Sequence, residues 1–372
     1  MPIMRALVKN GNLVTALVPD GPYVVRFLQE NIRHKHYNIS RAGLNPFKEL
    51  KVVFSLFKIL KQLSPDLVHT FTAKPNIYGT LAARLAGVPV IVNSVTGLGS
   101  FFVEVGKHGL MKFLLLRLYR FSGALSNATI FQNEDDIIFF RDNKLVSKEK
   151  VHLIRGSGVD LERFSPKKFS RENCINLKKC LGISPDTVVV TLMARLIWDK
   201  GIKEFCKAAR QLRNNTSQQF IFLLVGDYYD GNPNAIPHTY IESAVNEEKI
   251  VFTGWRDDVP AILAASDIVV LPSYREGLPV SLMEAMAMSR PLVTTDAPGC
   301  RETVEDGWNG FLVPIRDANA LARAIGKLID DPTLREIMGR RSREKAEREF
   351  DVRFVVREHL QLYQRLLNSG MK

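Results

Sequence analysis

Two glutamates eight residues apart, Glu276 and Glu284, stand in the segment Ser273-Tyr-Arg-Glu-Gly-Leu-Pro-Val-Ser-Leu-Met-Glu284. A short apolar run, Ile268–Leu271, leads into the polar turn that carries Glu276. A helix is expected to begin near Pro279, which puts Glu284 inside its first turns. A carboxylate placed there can accept hydrogen bonds from ligand hydroxyls, and the helix N-terminus offers unpaired backbone N–H groups to a phosphate. Upstream, Arg195 and Lys200 bracket Arg195-Leu-Ile-Trp-Asp-Lys-Gly201, directly after the apolar run Thr187–Ala194. Arginine presents a fork of donors and lysine a point charge, so the pair can neutralise an anionic leaving group such as a diphosphate. Each feature also has a plainer reading: a surface turn with a helix salt bridge for the glutamates, a structural surface residue for Arg195.

Metal chemistry has no comparable signature. No Asp-x-Asp stands at a strand end; Asp135-Asp136, Asp257-Asp258 and Asp330-Asp331 read as solvated helix starts or turns. The four cysteines, Cys174, Cys180, Cys206 and Cys300, form no C-x-x-C pair and read as free thiols in a reducing compartment. No metal and no cofactor are therefore expected.

The elements that must position these residues follow an α/β pattern. Strands are expected at Leu13–Val18, Leu67–His69, Val90–Val95, Ala128–Phe131 and Val151–Ile154. In the second half they fall at Thr187–Ala194, Phe220–Val225, Val251–Thr253, Ile268–Leu271, Pro291–Thr294 and Phe311–Val313. Amphipathic stretches lie between them, which predicts parallel sheets built from βα units. The boundaries expected are residues 1–160 and 167–350 for two Rossmann-like domains facing a cleft, joined by the glycine-rich Arg155–Pro166. Residues 351–372 are expected to form a last helix that crosses back to the first domain. The chain opens on what reads as a helix, Pro2–Asn10 with Gly11 closing it, so the first strand of the first domain is expected to be missing, along with its glycine-rich turn.

Charge is unevenly placed. Residues 1–168 hold 24 Lys and Arg against 12 Asp and Glu, and the rest hold 27 of each, so the whole net charge of +12 sits in the first half. An anionic partner for that half alone follows, and a membrane surface fits better than nucleic acid, for which no binding motif accompanies the charge. Gly109–Ala128, apolar with Lys112, Arg117 and Arg120 interspersed, reads equally well as an interfacial helix or a buried one. No apolar run reaches the ~20 residues that span a bilayer, and the start lacks the apolar core of a signal peptide.

The combination of motifs resembles the family-4 retaining glycosyltransferases, which have the GT-B fold. Glu276 to Glu284 is similar to the family's E-x7-E element and Arg195 to Gly201 to its R-x4-K-G element. Leu224-Val-Gly-Asp227, Phe252-Thr-Gly-Trp-Arg256, Asp296 to Glu302, Gly307 to Val313 and Gly156-Ser-Gly-Val-Asp160 agree in order and context. The resemblance implies catalytic roles for Glu276, Arg195 and Lys200. Glu284 would hold the ribose of a UDP-sugar, Gly277 and Leu278 would line its phosphates, and Trp255 and Arg256 would lie by the base, with a buried core tryptophan as the competing reading.

Pro65 to Gly79 and Asn93-Ser-Val-Thr-Gly-Leu-Gly99, followed by Phe101-Phe102, resemble a narrower bacterial branch. Its members extend a sugar on undecaprenyl diphosphate, several by α-1,3 transfer of N-acetylgalactosamine. A polyprenyl-diphosphate-linked acceptor is then implied, with His69, Lys74 and Thr96 as contacts. His69 has a structural alternative, and Thr96 stands where many family members have a histidine. A metal-independent, peripheral enzyme on the inner face of the cytoplasmic membrane is expected. The alternatives are a weakened or non-catalytic sugar-nucleotide-binding protein and a GT-B nucleotide-sugar epimerase.

Overall fold

β-branched runs buried on both faces become the strands of parallel sheets, as the sequence pattern requires. The computed structural model describes residues 1–39, 46–98, 109–213, 216, 218–229, 231–248 and 250–370. The Phe101-Phe102 motif lies outside the described residues. The chain divides into two units, Met1–Ile154 with Val352–Lys372, and Arg155–Asp351.

The first unit runs α1 (Pro2–Lys9), β1 (Thr15–Leu17), α2 (Val24–Gln29), β2 (Arg33–Lys35), α3 (Pro46–Leu63) and β3 (Leu67–Phe71). A π-helical turn, Pro75–Gly79, leads into α4 (Thr80–Ala86), then β4 (Val90–Val95), α5 (Gly109–Leu125), β5 (Ala128–Phe131), α6 (Glu134–Asp142) and β6 (Val151–Leu153). Strands β3-β4-β5-β6 form one parallel sheet, while β1 and β2 pair only with each other. The described chain thus opens on a helix, and β1 and β3 have no ladder between them. They nevertheless share a core: Leu17 and Val68 pack with Val53, Leu56, Ala82 and Ile91.

The second unit continues with α7 (Arg171–Cys180), β7 (Val188–Met193), α8 (Ile202–Leu212), β8 (Phe220–Val225), α9 (His238–Glu248), β9 (Ile250–Phe252), α10 (Val259–Ala265) and β10 (Ile268–Leu271). It ends with α11 (Val280–Ala287), β11 (Leu292–Thr295), β12 (Gly310–Val313), α12 (Ala318–Asp330) and α13 (Pro332–Glu349); α14 (Val352–Gly370) then returns to the first unit. The sheet order is β12-β11-β10-β7-β8-β9, all parallel. Alternate residues feed opposite faces: Val188, Val190 and Leu192 meet α8 and α12, whereas Val189 and Met193 meet α11. Order reverses between β7 and β10, and a reversal opens a crevice at the strand carboxyl ends, where α/β sheets bind ligands.

The structure corrects one detail of the acidic pairs. Asp136 begins α6 as expected but is buried rather than solvated, its carboxylate receiving Asn133 Nδ2 at 3.2 Å while Asn133 caps the helix. Among the described residues no three His, Cys, Asp or Glu side chains converge as a metal site, and no helix is long and apolar enough to cross a membrane.

Candidate active site

The reversal point of the second sheet gathers the charged motif residues. The loop after β7 carries Arg195 to Gly201, and the loop after β10 carries Ser273 to Pro279. Gly201, at φ +71°, lies so close under β10's end that a Cβ would meet the Pro272 carbonyl at 2.1 Å, so only glycine lets the two loops touch. At that contact Lys200 Nζ forms an ion pair with Glu276 Oε1. Ser273 Oγ lies 2.6 Å from the same carboxylate oxygen and 2.9 Å from the Asp199 carbonyl. Both charged side chains are mostly buried, so the pair sits in a lower dielectric than a surface bridge and its members hold each other in place.

The backbone beneath Glu276 is clamped as well. Its N–H donates to the Pro298 carbonyl at 2.9 Å. Gly299, at φ +76°, approaches until a Cβ would stand 2.4 Å from the Gly277 carbonyl and 2.6 Å from that of Glu276. We expect Gly299→Ala to destabilise the protein by about 2–4 kcal/mol, because strain from the positive φ adds to a clash with backbone. Differential scanning calorimetry reads this; a melting temperature unchanged within a degree would contradict the close approach. Burial, and then the charge of Glu276, push the nearby Cys300 thiol up to about 12, so Cys300 stays protonated and unreactive.

Arg195 lies exposed, its Cζ 4.9 Å from the centre of the Tyr229 ring, and its guanidinium makes no ion pair among the described residues. Its charge is therefore not neutralised by a carboxylate among the described residues. Glu284, in the second turn of α11, is half-buried. Burial raises its carboxyl to about 7, the Arg163 charge offsetting part of this, and the carboxyl makes no hydrogen bond among the described residues. A desolvated carboxyl without a partner is costly unless a ligand's donors complete it. The Leu278 side chain is buried and packs over Gly156, where a Cβ would meet it at 2.6 Å.

Trp255 and Arg256 follow β9. Trp255 is 68% exposed, which removes the core-tryptophan reading, and its Nε1 donates to Asp257 at 3.2 Å. Arg256 holds Asp258 with two bonds of 2.8 and 2.6 Å, which keeps that carboxyl below its usual range.

In the first unit two of the predicted acceptor residues, His69 and Lys74, have partners within the fold. His69, in the middle of β3, faces α14: Nδ1 lies 2.5 Å from Tyr363 Oη and Nε2 2.7 Å from Ser94 Oγ. Both ring nitrogens have partners within the fold. Lys74 turns to α3, where its Nζ meets Glu49 at 2.6 Å. Thr96 is half-buried just past the end of β4.

Burial holds His69 well below the ordinary histidine value, and the neighbouring His359 is lowered too, with its Nδ1 donating to the Val355 carbonyl at 2.7 Å. A lowered folded value means that stability is full above the unfolded pKa, about 6.5, and is lost as pH falls below it. The melting temperature is expected to drop between pH 7 and pH 5, and His69→Gln to flatten the slope. A pH-independent melt over that range would refute the assignment.

Sequence reasoning missed Ser273, Asp199 and Thr295, which brace the Glu276 loop; Thr295 Oγ1 donates to the Ser273 carbonyl. Ser273 opens the motif segment, so a polar residue at a strand's end was the available signal; the Asp199 carbonyl had none.

Residues 175–345 match the family model "Glycosyl transferases group 1", and residues 1–133 match "Glycosyl transferase 4-like". The chain is 33% identical, over 99% of its length and 95% of the relative, to an N,N'-diacetylbacillosaminyl-diphospho-undecaprenol alpha-1,3-N-acetylgalactosaminyltransferase of Campylobacter jejuni. It is 32% identical, over 88% of its length and 82% of the relative, to a UDP-Gal:alpha-D-GlcNAc-diphosphoundecaprenol alpha-1,3-galactosyltransferase of Escherichia coli. Among solved structures, Anabaena Alr3699/HepE in complex with UDP and glucose superposes at a TM-score of 0.79, with 22% identity over 98% and 94% of the two chains. Sucrose-phosphate synthase of Thermosynechococcus elongatus gives 0.82, with 20% identity over 99% and 92%. These neighbours share the GT-B fold of two Rossmann-like halves.

Proposed function

The chain belongs to the group 1 glycosyl transferases, and we propose that it moves a hexosamine, N-acetylgalactosamine foremost, from UDP onto a polyprenyl-diphosphate-linked sugar, with retention of configuration and without a metal. The observation that carries this reading is the Lys200–Glu276 pair at the β7/β10 reversal, with Arg195 in the loop after β7 and, on helix α11 after β10, Glu284, whose carboxyl makes no hydrogen bond among the described residues. The two curated relatives act, by name, on diphospho-undecaprenol-linked sugars.

The residues divide the work by chemistry. Glu284 accepts from the ribose hydroxyls, Trp255 and Arg256 border the base, and the backbone of Gly277 and Leu278 lines the diphosphate. Lys200 and Arg195 take up the charge that develops on the diphosphate as the sugar departs. The acceptor hydroxyl oxygen bonds to the anomeric carbon on the face from which the diphosphate leaves. The bond to the β-phosphate oxygen breaks with its electron pair going to UDP, and the hydroxyl proton passes to that departing oxygen. Catalysis then rests on positioning and on charge stabilisation by the two cations, which take the part a metal plays elsewhere. The protein acts peripherally at the inner face of the cytoplasmic membrane, its basic first unit toward anionic lipid.

The deciding experiment supplies UDP-[14C]N-acetylgalactosamine and membrane extract bearing polyprenyl-diphosphate sugars, in EDTA, with a Glu276→Gln control. Label in the lipid fraction, α-linked by NMR and lost in the control, supports the reading. UDP binding without transfer from any UDP-hexosamine would overturn it in favour of a binding role, and loss of transfer in EDTA would overturn metal independence.

A further inference from the structure

Helix α3 turns two faces to different surroundings. Val53, Leu56 and Leu60 pack inward with Ala82 and Ala83 of α4. On the opposite arc, where a soluble helix carries polar residues, Phe47 is 80% exposed, Leu50 66% and Phe54 56%. Lys51, Lys58 and Lys61 share that arc by the 3.6-residue period and are exposed. Lys58 Nζ lies 4.5 Å over the Phe54 ring. Helix α5 packs against the same Pro75–Ala86 segment and repeats the device, with Phe113 and Phe121 exposed beside Arg117 and Arg120, and Arg117 5.0 Å over the Phe113 ring.

We propose that the outward face of α3 is the docking face for an anionic phospholipid bilayer, with Phe47, Leu50 and Phe54 entering the acyl boundary and Lys51, Lys58 and Lys61 meeting headgroup phosphates. The inference rests on the reading that the acceptor is lipid-linked, and it moves the main contact from the Gly109–Ala128 stretch to α3. Three observations select a bilayer. The apolar and cationic side chains are interleaved on one arc, so a single approach buries the rings while the lysine stems extend to the phosphates. The chain's entire net charge of +12 lies within residues 1–168, which favours an anionic surface. A second copy set symmetrically on the same stripe would place lysine against lysine. The helix lies on the surface and does not cross it, in keeping with the lack of a spanning helix among the described residues.

Flotation of the full chain with phosphatidylglycerol vesicles, phosphatidylcholine vesicles serving as the neutral comparison, tests this. Partition onto the anionic vesicles is expected, and the Phe47→Glu/Phe54→Glu pair should lower it at least tenfold, more than Phe113→Glu/Phe121→Glu does. Transfer to a short-chain, water-soluble acceptor should be unchanged in both pairs, because the substituted residues are exposed and lie outside the transfer machinery. As an independent readout, Phe54→Trp should add fluorescence that brominated phosphatidylglycerol quenches. Indifference of the native chain to anionic vesicles, an α3 pair that binds normally, an unquenched Trp, or a dimer that the α3 pair dissolves while vesicles stay unbound would each overturn the proposal. If the native chain glycosylates neither acceptor, the functional reading fails while flotation still decides the docking face.

Discussion

Replacing Glu276 with glutamine is expected to lower kcat by about 100- to 1000-fold, corresponding to about 2.7–4 kcal/mol of transition-state stabilisation. UDP affinity should change less than tenfold. The asymmetry follows from geometry. Glu276 Oε1 accepts from the Lys200 ammonium and from Ser273 Oγ, so in the proposed mechanism its charge fixes where the cation stands relative to the departing diphosphate. Glutamine keeps the volume and one acceptor oxygen but releases the ammonium. Lys200→Ala should cost a similar factor, and the double variant should be little worse than the poorer single, because groups acting as a unit are not additive. Single-turnover transfer rates on the four proteins close the cycle. Additive losses would show that the ion pair is structural and that each residue acts alone.

The second large effect concerns Glu284 and is read by binding. Its carboxyl stands at about 7 without ligand because burial penalises the charge. In the proposed function ribose hydroxyls donate to the ionised form, so below that value a proton would have to leave before UDP is held. The UDP dissociation constant is expected to be nearly constant above pH 8 and to rise toward tenfold per unit as pH falls below about 7. Glu284→Gln should raise it by about 10- to 100-fold, the worth of hydrogen bonds to a charged acceptor, and remove that pH dependence. Calorimetric titration from pH 5.5 to 8.5 measures both. A native curve without a bend near neutrality would mean that the diol is held elsewhere.

The strands that were legible in the sequence are those buried on both faces. Val90–Val95, Ala128–Phe131, Phe220–Val225 and Ile268–Leu271 have the bounds expected, because burial on both sides leaves a short, mostly apolar run without helical spacing. β2 was not foreseen: three residues, Arg33-His-Lys35, carry no alternation, and only the ladder to β1 makes them a strand. Helices α2, α7 and α9 were unforeseen as well. Helix α7 announces itself only by the capping box of Ser170 and Asn173, with polar residues along most of its length.

The sequence by itself determined the chemistry on offer: which carboxylates and cations flank which strand ends, that the excess charge belongs to the first half, and that the motifs belong to one family. These are local properties, carried by residues within one turn or one loop of each other. Tertiary structure alone decided the partnerships. Lys200 meets Glu276 because strands β7 and β10, apart in sequence, are neighbours in the sheet. His69 meets Tyr363 on a helix that returns from the far end of the chain. Trp255 and the α3 residues Phe47 and Phe54 are exposed, which their types alone did not foretell. A side chain's type fixes what it can bind, but packing over long sequence separation fixes what is left for it to bind.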